Sequence, residues 1–276
     1  MEKEPPKAKQ PKDLTDNMSF LEHLEELRWR IIKGTGGILL GVAIAFFFSD
    51  FIINEVVLGP AKKTFFMYDL LRVEAQDLVL QSRRLPGQFF MYIGSLFVVG
   101  FILGSPLFIY QMWAFVEPAL ESSGKKKSIL SAIAITFFFL TGVAFGYLIL
   151  VPFALQFFTQ FQIADVIRND FDINNYFSSM AMWTISCGVV FQIPVVSYML
   201  SKIGILTPDF LRKYRRHAIV LCLVLSAMLT PPDPVSQILI AVPLTLLYQL
   251  SIWISGYANR KREKEMEKAL ANSASD

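Results

Sequence analysis

The sequence predicts an all-α membrane protein with six transmembrane helices and both termini in the cytoplasm. Three observations lead there. Apolar residues make up 54% of the 276, charged residues 18%, and mean hydropathy is +0.46; a soluble domain carries about a quarter charged residues. The charges are also sorted. None falls in 88–116, 128–164, 173–201, 217–232 or 234–259, and about 20 apolar residues suffice to cross a bilayer as a helix. Finally, with both termini on one side, that side holds 20 of the 26 Lys and Arg residues and the other side six. The excess marks the cytoplasmic face.

Residues 1–18 are polar and rich in Lys and Pro, and read as a flexible cytoplasmic tail with no cleavable signal peptide. A membrane domain is expected over 19–257. Ser19 and Glu22 have capping-box spacing at its start. Phe20, Leu24, Leu27 and Ile31 then recur on one apolar stripe, from which Glu22, Glu25 and Glu26 project away. The expected spans are 31–48, 89–116, 128–151, 175–201, 217–230 and 235–255, with the fifth and sixth short. Only 13 residues separate Arg216 from Thr230, or about 20 Å of helix against a hydrocarbon core of roughly 30 Å.

The first outer loop, 49–87, contains two amphipathic segments, 65–71 and 73–80, expected as short surface helices. The second, 152–174, is mostly apolar up to Ile163 and is expected to pack as a cap over the bundle. Residues 258–276 read as a second flexible cytoplasmic tail. Cys187 and Cys222 fall inside spans and read as small apolar fillers.

Four stretches carry polar groups in unusual places. In the first, Glu26 either pairs with Arg30 at i, i+4 or offers its carboxylate to an incoming guanidinium, which matches a carboxylate bidentately. The second is Tyr110-Gln-Met-Trp-Ala-Phe-Val-Glu117. Its aromatics suit an interfacial belt, while Gln111 and Glu117 make a mixed surface that could receive a peptide. In the third, Gln192 stands in an apolar span beside Pro194, where a polar side chain usually faces another helix. In the fourth, Thr230, Asp233 and Gln237 flank a Pro-rich turn at the outer end. There Asp233 either caps the last span or helps dock another transmembrane helix.

No nucleophile–base pair, phosphate loop, metal-ligand cluster or nucleotide fingerprint occurs in the sequence. We therefore expect no enzyme, cofactor, metal or nucleic-acid partner. The spans hold no central charge, which an ion-coupled transporter would need. A small-solute transporter would require more at mid-membrane than Gln192 and Pro194. A membrane enzyme would require more than Asp233 at a turn.

Five motifs together resemble the TatC subunit of the twin-arginine protein translocase. They are Phe20-Leu-Glu-His-Leu-Glu-Glu-Leu-Arg28, Tyr110-Gln-Met-Trp-Ala-Phe-Val-Glu-Pro-Ala-Leu120, Phe191-Gln-Ile-Pro194, Gly204-Ile-Leu-Thr-Pro-Asp-Phe-Leu-Arg-Lys-Tyr-Arg215 and Leu229-Thr-Pro-Pro-Asp-Pro-Val-Ser-Gln237. The resemblance covers roughly 18–255. It implies a receptor in a bacterial cytoplasmic (inner) membrane for folded cargo bearing paired-arginine signal peptides, with transport driven by the proton-motive force.

The resemblance also implies roles for particular residues. Glu26, with Arg28 beside it, would bind the arginine pair, and Phe115 and Gln111 would line the same site. A second family glutamate aligns with Gly124, leaving Glu121 as the nearest carboxylate to take its part. Gln192 stands where many family members carry glutamate. Thr230, Asp233 and Gln237 fall where single-span TatA/TatB-type subunits dock. Self-association of this chain within the complex is implied as well.

Overall fold

In the computed structural model, residues 20–120, 125–164, 169–229 and 234–273 are described. Ten α-helices of six residues or more, several shorter or irregular helical turns and one minimal ladder are found among them. The helices are α1 (Phe20–Phe47), α2 (Phe66–Leu71), α3 (Gly87–Leu120), α4 (Lys125–Phe145), α5 (Val151–Gln160), α6 (Ile173–Val190), α7 (Ile193–Ile203), α8 (Pro208–Lys213), α9 (Arg215–Leu229) and α10 (Pro234–Ser273). Strands β1 (Leu80–Gln81) and β2 (Phe171–Asp172) pair in parallel, Leu80 opposite Phe171. Five helical stretches are long and apolar enough to cross a membrane: His23–Phe47, Gly87–Glu117, Ile129–Gln160, Ile173–Ile203 and Gln237–Lys264. The fifth expected span is α9, at 15 residues shorter than any of these.

The contact between α1 and α3 decides how the amino-terminal helix is held. Its residues are small. A Cβ on Gly100 would lie 2.5 Å from Val42 Cα, and one on Gly104 2.6 Å from Gly37 O. The two backbones therefore touch, as small residues permit between helices in lipid. Gly34 faces Phe108 and Gly37 faces Leu107, so the pair runs antiparallel. The packed face of α1 follows Leu27, Arg30, Gly34, Gly37 and Gly41.

Of the apolar stripe, Leu27 lies on this packed face whereas Leu24 and Ile31 lie off it. Leu24 is 45% exposed and Ile31 42%. Among lipid tails large apolar side chains gain nothing by turning inward, whereas close packing of small residues does.

The fourth span is broken. α6 ends at Val190 and α7 starts at Ile193, with Pro194 in its first turn. Proline suits that position because it lacks the N–H that would be unsatisfied there. Ser201 Oγ donates to Ser255 Oγ at 2.7 Å, which holds α7 alongside α10. The short-helix expectation holds for α9. α10 is long because its apolar segment, ending at Asn259, continues as a charged helix to Ser273, through residues assigned above to a tail.

At the opposite end the first loop forms a cap. Helical turns cover Ile52–Val57 and Gly59–Ala61. Three tyrosine hydroxyls donate to carbonyls of this segment: Tyr68 to Pro60 at 2.5 Å, Tyr147 to Val56 at 2.7 Å and Tyr176 to Val57 at 2.6 Å. α2 forms as expected. The segment 73–80 does not form a helix; it is extended. Val73 and Ala75 turn inward while Glu74 and Gln76 turn outward, the period-2 alternation of a strand. Gln76 N donates to Gln156 Oε1 at 3.2 Å and Leu78 N to Ala61 O at 3.0 Å. These partners satisfy the backbone without a helix.

In the second outer loop, α5 extends α4 through a wide turn at Gly146–Leu150. Cys187 and Cys222 are buried and free, as small fillers.

Candidate functional site

The α1–α3 contact brings two of the sequence motifs together at the end of the bundle that carries the start of α1. His23 stacks on Phe115, centroids 4.5 Å apart and planes at 24°. One helical turn later, Glu26 Oε1 accepts from Arg30 Nη2 at 2.6 Å and Arg30 Nε at 2.8 Å. Both side chains are about 25% exposed. The i, i+4 pairing anticipated as one alternative is the one present. It also demonstrates that the Glu26 carboxylate, in this position, accepts a guanidinium.

The other residues expected at the site sort by helical phase. Phe108, Gln111 and Phe115 share one side of α3, and the first and last of these touch α1. Gln111 is half-buried there. Arg28 points elsewhere, its guanidinium 5.5 Å above the exposed Trp29 ring. Glu25 is exposed and Glu117 half-buried. Glu121 and Gly124 lie outside the described residues.

Trp113 does not join an aromatic belt. It is buried on the other side of α3, beside an apolar groove of about 230 Å³ shared with Leu130, Ile135, Pro194, Tyr198 and Ile254. Its Nε1 has no hydrogen-bond partner among the described residues.

His23 was not singled out from the sequence. The available signal was its spacing. It stands three residues before Glu26 and eleven before Gly34, in phase with the small residues that pack on α3.

The remaining polar sites are separate. Gln192, at the α6–α7 break, donates from Nε2 to Ile135 O at 3.2 Å, while its buried Oε1 has no partner among the described residues. This side chain therefore joins α4 to the broken span and leaves one acceptor unused. Gln237 Nε2 donates to Leu223 O at 3.1 Å and ties α10 to α9. Thr230 and Asp233 lie outside the described residues. No group of three or more His, Cys, Asp or Glu residues suited to a metal ion occurs among the described residues.

Comparison with known proteins matches residues 22–243 to the family model "Sec-independent protein translocase protein (TatC)". A Blattabacterium sp. subsp. Periplaneta americana (strain BPLAN) protein of that name is 36% identical over 265 residues, 91% of this chain and 100% of its own. TatCy of Bacillus subtilis (strain 168) is 34% identical over 249 residues, 90% of this chain and 93% of its own. A crystal structure of the twin arginine translocase receptor TatC aligns with TM-score 0.67 at 33% identity, covering 86% of this chain and 99% of that one. A second, in DDM, gives 0.68 at 32% identity, covering 85% and 99%. With a family match over most of its length, relatives above 30% identity and the same fold, this chain is a multi-pass membrane protein of the TatC family of Sec-independent protein translocases.

Proposed function

We propose that this chain is the signal-peptide receptor and scaffold of a twin-arginine translocase. Both of its termini lie in the cytoplasm and its spans in a bacterial inner membrane. The observation that carries the reading is Glu26. It is a carboxylate about three-quarters buried and already engaged with one guanidinium, on a helix held against α3 through the His23–Phe115 stack. A paired-arginine peptide would take over the carboxylate from Arg30. Phe115 and Gln111 would line its path, with Arg28 and Glu121 at the margin.

Thr230, Asp233 and Gln237 would dock single-span TatA/TatB-type subunits, and further copies of this chain would assemble around the same complex. Gln192 would act through hydrogen bonding, since an amide cannot titrate. The proton-motive force would supply the work, and the chain itself would catalyse no chemical step. α9 contributes through its length. Its 15 residues span about 22 Å against roughly 30 Å of hydrocarbon, so the bilayer thins there and polar cargo meets a lower barrier.

The test is binding of a fluorescent signal peptide to the purified protein, with the arginine pair intact or changed to two lysines. A strong preference for arginine, abolished in Glu26→Ala, is expected. Equal binding of both peptides would refute the receptor reading.

A further inference from the structure

Along α10 the two neighbouring helices end at different levels. α7 runs parallel to α10, with Ser201 against Ser255 and the guanidinium of Arg262 against Gly204 just past the end of α7. The chain then turns back. By Leu211 in α8 it has reached Tyr248, whose hydroxyl donates to Leu211 O at 2.8 Å. Tyr248 stands eleven residues before Asn259, the last residue of the uncharged run. At 1.5 Å per residue this is about 16 Å along the helix axis. With Ser201 level with Ser255, the end of α7 lies about nine helical residues beyond Tyr248, so Leu211, just before the turn into α9, is set roughly 13 Å deeper into the bundle than the end of α7.

The surface at this step is strongly basic and partly apolar. Arg212, Lys213, Arg215 and Arg216 are all exposed. The only acid in 202–216 is Asp209, which pairs with Arg212 at 3.3 Å. Lys213, Arg215 and Arg216 have no ion-pair partner among the described residues. Ile205 is 70% exposed and Phe210 51%, and Phe210 packs at a tilt against Tyr214 with centroids 4.6 Å apart. The loop is also held in shape. Thr207 caps α8, accepting from Phe210 N at 3.3 Å, and Leu211 is buried.

We propose that this step binds anionic phospholipid. Arg212, Lys213, Arg215 and Arg216 hold lipid phosphates drawn down to the start of α9, while Ile205 and Phe210 sit among the acyl chains. Three arguments select lipid. Cations at this depth are costly unless they reach a counter-charge, which long side chains do by extending toward headgroups. Exposed Ile and Phe among basic residues is the pattern of an interfacial segment. A cargo peptide bearing arginines would be repelled here, whereas anionic headgroups attract each basic residue. The inference rests on the membrane topology proposed above and deepens its account of thinning. It does not depend on Glu26 binding arginine.

The test is native mass spectrometry of the full-length, delipidated protein given equal phosphatidylglycerol and phosphatidylcholine. Wild type is expected to retain phosphatidylglycerol with roughly tenfold preference. The combined Arg212→Gln, Lys213→Gln, Arg215→Gln and Arg216→Gln variant is expected to lose it. Unchanged melting in phosphatidylcholine micelles shows that this variant is folded; if it is not, Arg215→Gln with Arg216→Gln takes its place. Lys264→Gln with Lys268→Gln, on the far part of α10, is expected to leave the preference intact.

The proposal is overturned if the loop variant keeps the preference or if the α10 variant loses it equally. It is also overturned if glycerol phosphate alone binds and stabilises as well as the lipid does, which would mark a site for soluble anions. Signal-peptide binding measured on the same samples reports separately on the receptor reading.

Discussion

If Arg30 occupies the carboxylate that a signal peptide needs, removing it should tighten binding. An exposed i, i+4 pair contributes about 0.3–0.5 kcal/mol. This pair is three-quarters buried, and one oxygen accepts two charge-assisted N–H groups, so we place its strength near 1 kcal/mol. A competing peptide arginine must overcome that amount. Because about 1.4 kcal/mol corresponds to a factor of ten, Arg30→Gln should lower the Kd of a paired-arginine peptide roughly fivefold. The assay is fluorescence anisotropy of a labelled peptide against purified protein at low ionic strength. The gain should shrink in high salt, where screening weakens the original pair. It should vanish in the Glu26→Ala background, where there is no carboxylate to free. Unchanged or weaker binding in Arg30→Gln would refute the competition argument and make Arg30 part of the site's framework.

Three further outcomes follow from packing and hydrogen bonding. Gly100→Leu or Gly104→Leu should separate α1 from α3, because even a Cβ meets backbone atoms at 2.5–2.6 Å. Overpacking typically costs 1–3 kcal/mol, so a clear loss of melting temperature and of peptide binding is expected. Gly36→Ala, with nothing within 4 Å of its Cβ, should change neither; an equal loss there would refute the close-packing account. Gln192→Leu should be tolerated to within about 1 kcal/mol in a thermal melt, because it removes one hydrogen bond but also one buried acceptor without a partner. A large destabilisation would show that the amide does more than the Ile135 contact reveals.

Asp172 caps α6, accepting from Asn174 N and Asn175 N. Desolvation works to raise its carboxyl, but the backbone N–H groups of Asn175, Arg83 and Asn174 outweigh it and hold the group below the usual carboxylate range. A depressed folded-state value gives stability that is complete above the ordinary carboxylate pKa. That stability is lost as pH falls below about 4 through the folded-state value. Asp172→Asn keeps a cap but cannot ionise, so it should flatten this acid limb of a melting-temperature profile. An unaltered limb would assign it to other carboxylates.

The helices, their order and the weakness of α9 were legible because each rests on local composition. An uncharged run of sufficient length must be helical in lipid, whatever packs against it. Pro194 marked a perturbation in the fourth span but not its extent, since where the helix breaks at Phe191–Gln192 is set by packing across elements that local sequence does not show. The segment 73–80 was misread because its hydrophobic spacing suits a helix, and its actual partners, Gln156 and Ala61, lie on other elements.

The site shows the same division. Glu26 and Arg30 were found as a pair because an i, i+4 contact is fixed within one helix. His23 was missed because its partner, Phe115, is 92 residues away and is reached only once α1 and α3 touch. The apolar stripe alone does not locate the packed face. In water that stripe would be the buried one, but here Leu24 and Ile31 remain exposed. The protein contact instead follows Gly34, Gly37 and Gly41, the residues with least side chain. Following those glycines back toward the amino terminus leads to Arg30, Leu27 and His23. Small-residue phase therefore locates the packed face of such a helix, and with it the carboxylate at that face's edge.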